Sequence, residues 1–228
     1  MKKRINKIKI LRIIHTLDPA HGGPQNAIID NSLSLIKNGI SVDILTSDIR
    51  NYHFKKIKNL RIINKGPSLN DYGLNFRLFY WLLKNKKKYS FILIHGIWQF
   101  YTLAARILFK NKYFVFIHGQ LDPFFSLNLI KKIKKKLYWF LIERGNLISS
   151  KSLLLTSDLE KKLITKTYVD TNMLNKVVIN YGITKPNFNK KTVLEVFYKK
   201  FPKLKNKKFL LFLGRFHEKK GCDVLIKA

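Results

Sequence analysis

The chain has 228 residues, 46% of them hydrophobic, including 17 Phe and 10 Tyr; this exceeds one typical domain and supplies enough apolar area to fold without disulfides. A lone cysteine, Cys222, excludes an internal bridge and suits a reducing cytoplasm. The formal charge of +32, from 45 basic against 13 acidic residues, calls either for an anionic partner or for compositional drift with solvated lysine faces.

The basic start MKKRINKIKILRIIH is interrupted by Lys7, Lys9 and Arg12, so it lacks the apolar core of a signal peptide. No apolar run approaches the roughly 20 residues that span a bilayer. A cytoplasmic protein is expected, peripheral on the inner face of the membrane if the positive charge serves an anionic lipid surface. Only eight of the basic residues are Arg, and base reading in grooves favours the arginine fork. Nucleic acid is therefore not expected as a partner.

The pattern opens as βαβ. Ile8 to Ile14 reads as a strand and is followed by the loop HTLDPAHGGP from His15 to Pro24. A helix is expected from Pro24, with Ile29, Leu33 and Ile36 on one face and Gly39 as its stop. Val42 to Leu45 and Leu60 to Ile63 read as the next strands. Gly22 and Gly23 sit just before the helix N-terminus, where unpaired amides and the helix dipole favour an anion, although their spacing is equally that of an ordinary tight turn. Asp18 shares this loop.

A helix is expected over Tyr72 to Lys86, then a strand over Phe91 to Ile94 ending in His95-Gly96, then a helix over Gln99 to Leu108. Tyr113 to Ile117 is a run of five apolar or aromatic residues, too short for a core helix, and reads as a strand buried on both faces. His118-Gly119 follows at once. Ligand crevices of open α/β sheets lie outside the carboxyl ends of the strands, so His95 and His118 are candidates for one shared site, with Asp122 nearby. Two histidines without a third ligand make a poor metal site, and none is expected.

The next predicted helix, Leu127 to Leu141, separates its faces sharply. Leu127, Ile130, Ile133, Leu137 and Leu141 form one arc, expected to be buried, and Lys131, Lys132, Lys135 and Lys136 form the other, with Trp139 among the lysines. A large aromatic on a basic face suggests a membrane contact; the competing reading packs Trp139 under a loop. Leu153 to Leu155 is a further strand, Ser157 and Glu160 form a capping box that starts a helix, and Lys176 to Ile179 closes the sheet. From Ile183 to Lys208 the chain is polar and interrupted by Pro186 and Pro202, with a short helix expected after Thr192. A strand over Phe209 to Leu213 then ends at Gly214-Arg215. Lys219-Lys220-Gly221 leads from there into an apolar helix start. Arg215 and Lys220 would oppose the charge that develops on a departing diphosphate. There is no D-x-D motif to hold a metal for that task.

The runs HGQLDPFF (118–125), HGGPQNA (21–27), TS (156–157), NYGI (180–183) and LGRFHEKKGCDVLIKA (213–228) resemble retaining glycosyltransferases of family 4. The resemblance covers essentially the whole chain. It implies the GT-B fold: a Rossmann-like acceptor-side domain over 1–185, a connection over 186–208, and over 209–228 the first βα unit of a second, nucleotide-sugar-binding domain. It further implies a nucleotide-sugar donor, and a glycan or lipid-linked acceptor in cell-envelope polysaccharide or glycolipid assembly. Gly22, Gly23, Arg215 and Lys220 would lie on the donor diphosphate and His118 beside the transferred sugar as the catalytic residue, with Asp18, His95 and Asp122 on the acceptor side. No cofactor is implied, and the departing phosphate oxygen would take the acceptor proton. The family's glutamate pair, about two helical turns apart, has no counterpart here, so a first domain with an incomplete second is expected. A catalytically inactive fragment or basic membrane-binding module is the alternative. A glycoside hydrolase using Asp18 and Asp122 would leave Arg215 and Lys220 without a purpose.

Overall fold

A computed structural model describes residues 8–21, 23–50, 58–123, 129–180, 182, 188–214 and 216–228, the side chains of 21, 129–132, 169 and 170 excepted. The chain divides into two compact units, Met1–Ile183 and Thr184–Ala228.

The first unit is a parallel sheet built from β1 (Lys9–Ile14), β2 (Ser41–Thr46), β3 (Leu60–Asn64), β4 (Phe91–His95), β5 (Tyr113–Phe116), β6 (Ser152–Leu155) and β7 (Lys176–Val178). Its strand order is β3-β2-β1-β4-β5-β6-β7. The order reverses between β1 and β4, which leaves a crevice at their carboxyl ends. Every expected strand of this unit is present to within a residue or two, because short β-branched runs bounded by Gly, Asn and Lys leave little choice of element.

Side chains alternate across the sheet with period two. Leu11, Ile13, Ile92, Ile94, Val115, Leu153 and Leu155 fill one face, packed with Leu78, Leu82 and Ala105. The other face carries Ile14, Val42 and Ile44, covered by Ile28 of α1 (Gly23–Lys37). Gly39, at φ 82°, follows α1 and ends it in the left-handed region that a glycine adopts without cost. On this second face Arg12 and His95 break the apolar pattern. Arg12 is only 2% exposed.

The first face is closed by α2 (Phe76–Asn85), α3 (Phe100–Phe109) and α6 (Asp158–Thr167). Helix α2 starts later than the apolar pattern implied: Asn75 caps it by accepting from the Leu78 N–H, and Tyr72 stays in the preceding turn. Its hydroxyl accepts instead from Tyr138, at 2.8 Å.

The basic helix is where the structure corrects the sequence reading. It runs as α4 (Leu129–Tyr138), opens into one wide π turn (Trp139–Glu143) and continues as α5 (Arg144–Ile148). Trp139 is 1% exposed, whereas Ile133, Leu137, Phe140 and Leu141 of the expected buried arc and its flank are each 60% or more exposed. Trp139 stacks on Tyr168 at 4.1 Å and meets Trp98, which also meets Tyr138. The assignment of Trp139 as a membrane contact is thereby overturned. Aromatic rings bury more area than isoleucine or leucine and gain from ring contacts, so Tyr138 and Trp139 set which side of the helix faces inward. Lys135 lies over the Trp98 ring at 5.5 Å and Lys136 is exposed; the side chains of Lys131 and Lys132 lie outside the described residues.

The wide turn delivers Glu143 to the interior at 0% exposure. Asn146 donates to its Oε2 at 3.2 Å, and the Trp98 backbone N–H and Tyr138 also face it. Burial outweighs these bonds and lifts the carboxyl to about 8.

In the second unit, α7 (Lys190–Lys200) is capped by Asn189, which accepts from the Lys191 and Thr192 N–H groups, so Thr192 lies inside the helix and does not start it. The expected strand over 209–213 forms no ladder; Leu210 and Leu213 are exposed there. Helix α8 (Cys222–Lys227) follows Gly221, and no described helix of the chain is long and apolar enough to cross a membrane.

A group whose folded pKa is raised from about 4.5 to about 8 is protonated in the native state while its unfolded counterpart is ionised. Its contribution is therefore lost as pH rises through that window. Glu143→Gln should gain thermal stability relative to the parent progressively from pH 5 to 8. A difference in melting temperature that does not change with pH would show that Glu143 is not held neutral.

Candidate active site

The carboxyl ends of β1, β4 and β5 enclose a cavity of about 180 Å³. Its walls include His15 and Thr16 after β1, Gln25 in the first turn of α1, His95-Gly96 at the end of β4, and His118 and Gln120 after β5. This is the crevice at the reversal of strand order, and it brings His95 and His118 together as their matching positions implied.

The turn after β5 is unusual in its backbone. His118 and Gly119 are both left-handed, at φ 50° and 74°. Glycine is natural there, but a histidine carries strain of order 1 kcal/mol that surrounding bonds must hold. A single carboxylate supplies much of that hold. Glu160 Oε1 accepts from the Gly119 N–H at 2.7 Å, and Oε2 accepts from the Thr156 N–H at 2.6 Å and the Thr156 hydroxyl at 2.9 Å. Ser157 caps α6 by accepting from the Glu160 N–H, as the spacing implied, but the glutamate reaches past the cap to the neighbouring strand end. Gln120 completes the turn by accepting from the Ile97 N–H at 2.6 Å. Trp98, left-handed at φ 65°, therefore lies between the Gln120 contact and the buried Glu143.

Behind the cavity wall the polar side chains form a chain. Arg12 Nη1 lies 3.4 Å from His95 Nε2, and His95 Nδ1 lies 3.1 Å from His118 Nε2. Arg12 Nη2 donates to Asn31 of α1. The rings of Phe116, His95 and His118 lie near parallel, with centroids 5.3 to 5.9 Å apart. Burial lowers the His118 pKa to about 4. His95 is held well below the ordinary histidine range by burial first, then by the charge of Arg12. Both rings are neutral at pH 7. His95, only 2% exposed, lines the cavity beside His118 and braces it through the Nδ1 contact.

The loop after β1 is fixed by Asp48. Its Oδ1 accepts from the Thr16 hydroxyl at 2.5 Å and its Oδ2 from the Leu17 N–H at 2.9 Å. Asp18 turns inward on its own loop and accepts from the Ala20 N–H. Neither Asp18 nor Asp122 lines the cavity, so a hydrolase carboxylate pair gains no support from it. Gly23 opens α1, where a Cβ would meet no described atom within 4 Å, and the first turn of α1 holds no acidic residue, which suits an anion at the helix start. Gly22 and Arg215 lie outside the described residues. Lys220 is exposed at the end of a short 3₁₀ turn in the second unit.

Arg12, Asp48 and Glu160 are not among the site residues that the sequence indicates, though Arg12 and Glu160 leave a trace in it. Arg12 is a cation in the middle of an apolar strand, which in a sheet covered on both faces must find partners. Glu160 was visible as a cap, but its reach to Gly119 spans 41 positions and has no local signature.

No protein-family model matches the chain, and no curated protein sequence does. Solved structures do. The sucrose-phosphate synthase of Thermosynechococcus elongatus superposes with a TM-score of 0.67 at 17% identity, over 97% of this chain and 59% of that one. A glycosyltransferase from Rickettsia africae gives 0.62 at 19%, over 97% and 56%. WaaG, a glycosyltransferase involved in lipopolysaccharide biosynthesis, gives 0.58 at 14%, over 96% and 58%. The chain spans less than three fifths of the length of these proteins, and what it shares with them is the fold: the Rossmann-like α/β arrangement of GT-B glycosyltransferases.

Removing the Glu160 carboxylate leaves the Gly119 and Thr156 amides without their acceptor. Glu160→Ala should cost about 2 to 3 kcal/mol in denaturant unfolding and speed hydrogen exchange at the Gly119 amide. Unchanged exchange there would show that another group holds the turn.

Proposed function

We propose that this chain belongs to a glycosyltransferase that moves a hexosyl unit from a nucleotide-sugar donor to a glycan or lipid-linked acceptor, with retention, in cell-envelope polysaccharide or glycolipid assembly. The observation that carries this reading is the cavity at the β1/β4 reversal, where the first turn of α1 and a neutral histidine stand together. A diphosphate is drawn to the start of α1 by the amides and dipole of a helix N-terminus. His118, uncharged at neutral pH, meets sugar hydroxyls by hydrogen bonding, without desolvating a charge. The shared fold supports the reading, as does a related fold in Anabaena HepE, solved with UDP and glucose and matched at a TM-score of 0.57 and 14% identity over 57% of its length.

In this scheme the bond between anomeric carbon and diphosphate oxygen breaks, the acceptor oxygen forms its bond on the same face, and the acceptor proton passes to the departing phosphate oxygen. Negative charge grows on the leaving group as this happens. Arg215 and Lys220 oppose that charge where a metal otherwise would. The protein should therefore transfer sugar in the presence of EDTA, and Lys220→Ala should lower kcat more than it raises the acceptor KM. Loss of activity on chelation, restored by manganese, would overturn the metal-free scheme; failure to turn over any nucleotide sugar would overturn the function.

We further propose that α4 seats the protein on the anionic cytoplasmic face of a membrane. Ile133, Leu137, Phe140 and Leu141 form an exposed apolar stripe at helical spacing, with Lys134 and Lys136 exposed beside it, on a chain of net charge +32. Such a stripe with basic flanks suits the headgroup boundary. Leu137→Ser with Phe140→Ser should reduce co-sedimentation with anionic vesicles about tenfold, and salt should weaken binding by the parent. Equal binding to neutral and anionic vesicles would overturn this seating.

A further inference from the structure

Arginine only donates hydrogen bonds, and it keeps its proton at any pH a protein survives. The Arg12 Nη1–H that meets His95 at 3.4 Å therefore requires a lone pair on His95 Nε2. A neutral imidazole carries one proton, so that of His95 resides on Nδ1. Nδ1 is 3.1 Å from His118 Nε2, and this nitrogen must accept in turn. The single proton of a neutral His118 is then on its own Nδ1. Any other assignment sets two donors, or two lone pairs, against each other at one of the two contacts, in a region where Arg12 and His95 are each 2% exposed. Unmet buried polar groups cost enough to decide between tautomers that are otherwise nearly equal in energy.

The packing keeps this order in place. Arg12 is held at its other nitrogen by Asn31, and Tyr101 donates to the His95 carbonyl at 2.7 Å. The near-parallel stacking of Phe116, His95 and His118 limits rotation of the rings. The three polar residues come from β1, the end of β4 and the turn after β5, so the sheet register itself aligns the chain: Ile14 pairs with His95, and His95 with Phe116.

We infer that Arg12 and His95 are positioning residues that fix His118 in its Nδ1-protonated tautomer, so that its ring serves a bound sugar nucleotide as a hydrogen-bond donor and not as a base. The use of the donor rests on the function proposed above; the tautomer does not. A ring so fixed offers its N–H to an oxygen, whether a sugar hydroxyl or a phosphate oxygen. The nitrogen that could have taken a proton is occupied by His95. Acceptor deprotonation then falls to the substrate's own phosphate oxygen.

The test reads the rings directly. Long-range proton–nitrogen NMR correlation of the 15N-labelled 228-residue chain at pH 7 distinguishes protonated from unprotonated ring nitrogens. His95 and His118 should both be Nδ1-protonated, in a tautomer ratio beyond about 10 to 1. Arg12→Met should return His118 to a mixture, whereas Arg12→Lys, which still only donates, should preserve the ratio. An Nε2-protonated or averaged His118 in the parent overturns the inference, and so does a ratio unmoved by Arg12→Met. If Arg12→Met fails to fold, the parent spectrum and the Arg12→Lys ratio still decide. Adding UDP-glucose then separates the two claims: a fixed tautomer whose His118 signals ignore the nucleotide sugar would remove the donor role and count against the site reading, while leaving the arginine-to-histidine order standing.

Discussion

One carboxylate joins two strand ends in this fold, and the cavity depends on that junction. Glu160 belongs to the helix after β6, yet it accepts from Gly119 after β5 and from Thr156 at the end of β6. A parallel sheet leaves its strand-end amides without ladder partners, and at a ligand crevice water cannot satisfy them all. Here the helix cap serves that need as well as its own. Its hold is what lets His118 keep a left-handed backbone and stay next to His95.

Two buried titratable groups, Glu143 and His118, are displaced in opposite senses by the same cause. Burial disfavours charge, so Glu143 is lifted toward neutrality and His118 is lowered toward it. Glu143 faces the Trp98 backbone and Gln120 accepts from the Ile97 N–H, so the loop after β4 is gripped from two sides.

Much of the sheet was legible because its strands are short apolar runs with marked ends, and because strand-then-His-Gly at 95 and 118 put two histidines at matching ends. The Ser157 cap was legible from its spacing. The inward side of α4 was not. A helical wheel weighs Ile133, Leu137 and Leu141 as the core face, but the fold weighed Tyr138 and Trp139 more heavily, since Tyr168, Trp98 and Tyr72 wait for them on distant segments. The π turn that swings Glu143 inward has no signature in periodicity at all. Arg12 could have been found: KILRII alternates so that its cation shares a face with Ile10 and Ile14, and a buried arginine requires partners that the sequence alone does not name.

The left-handed backbone at His118 and Trp98 has a consequence for anyone who selects this protein for heat resistance. Both positions would relax as glycine or asparagine, so a screen that rewards melting temperature alone is drawn to them. Such variants would trade the ring at the cavity, or the aromatic anchor of the adjoining loop, for backbone comfort. Thermostable descendants with a softened crevice would be the product, and libraries that hold these two positions constant would avoid that outcome.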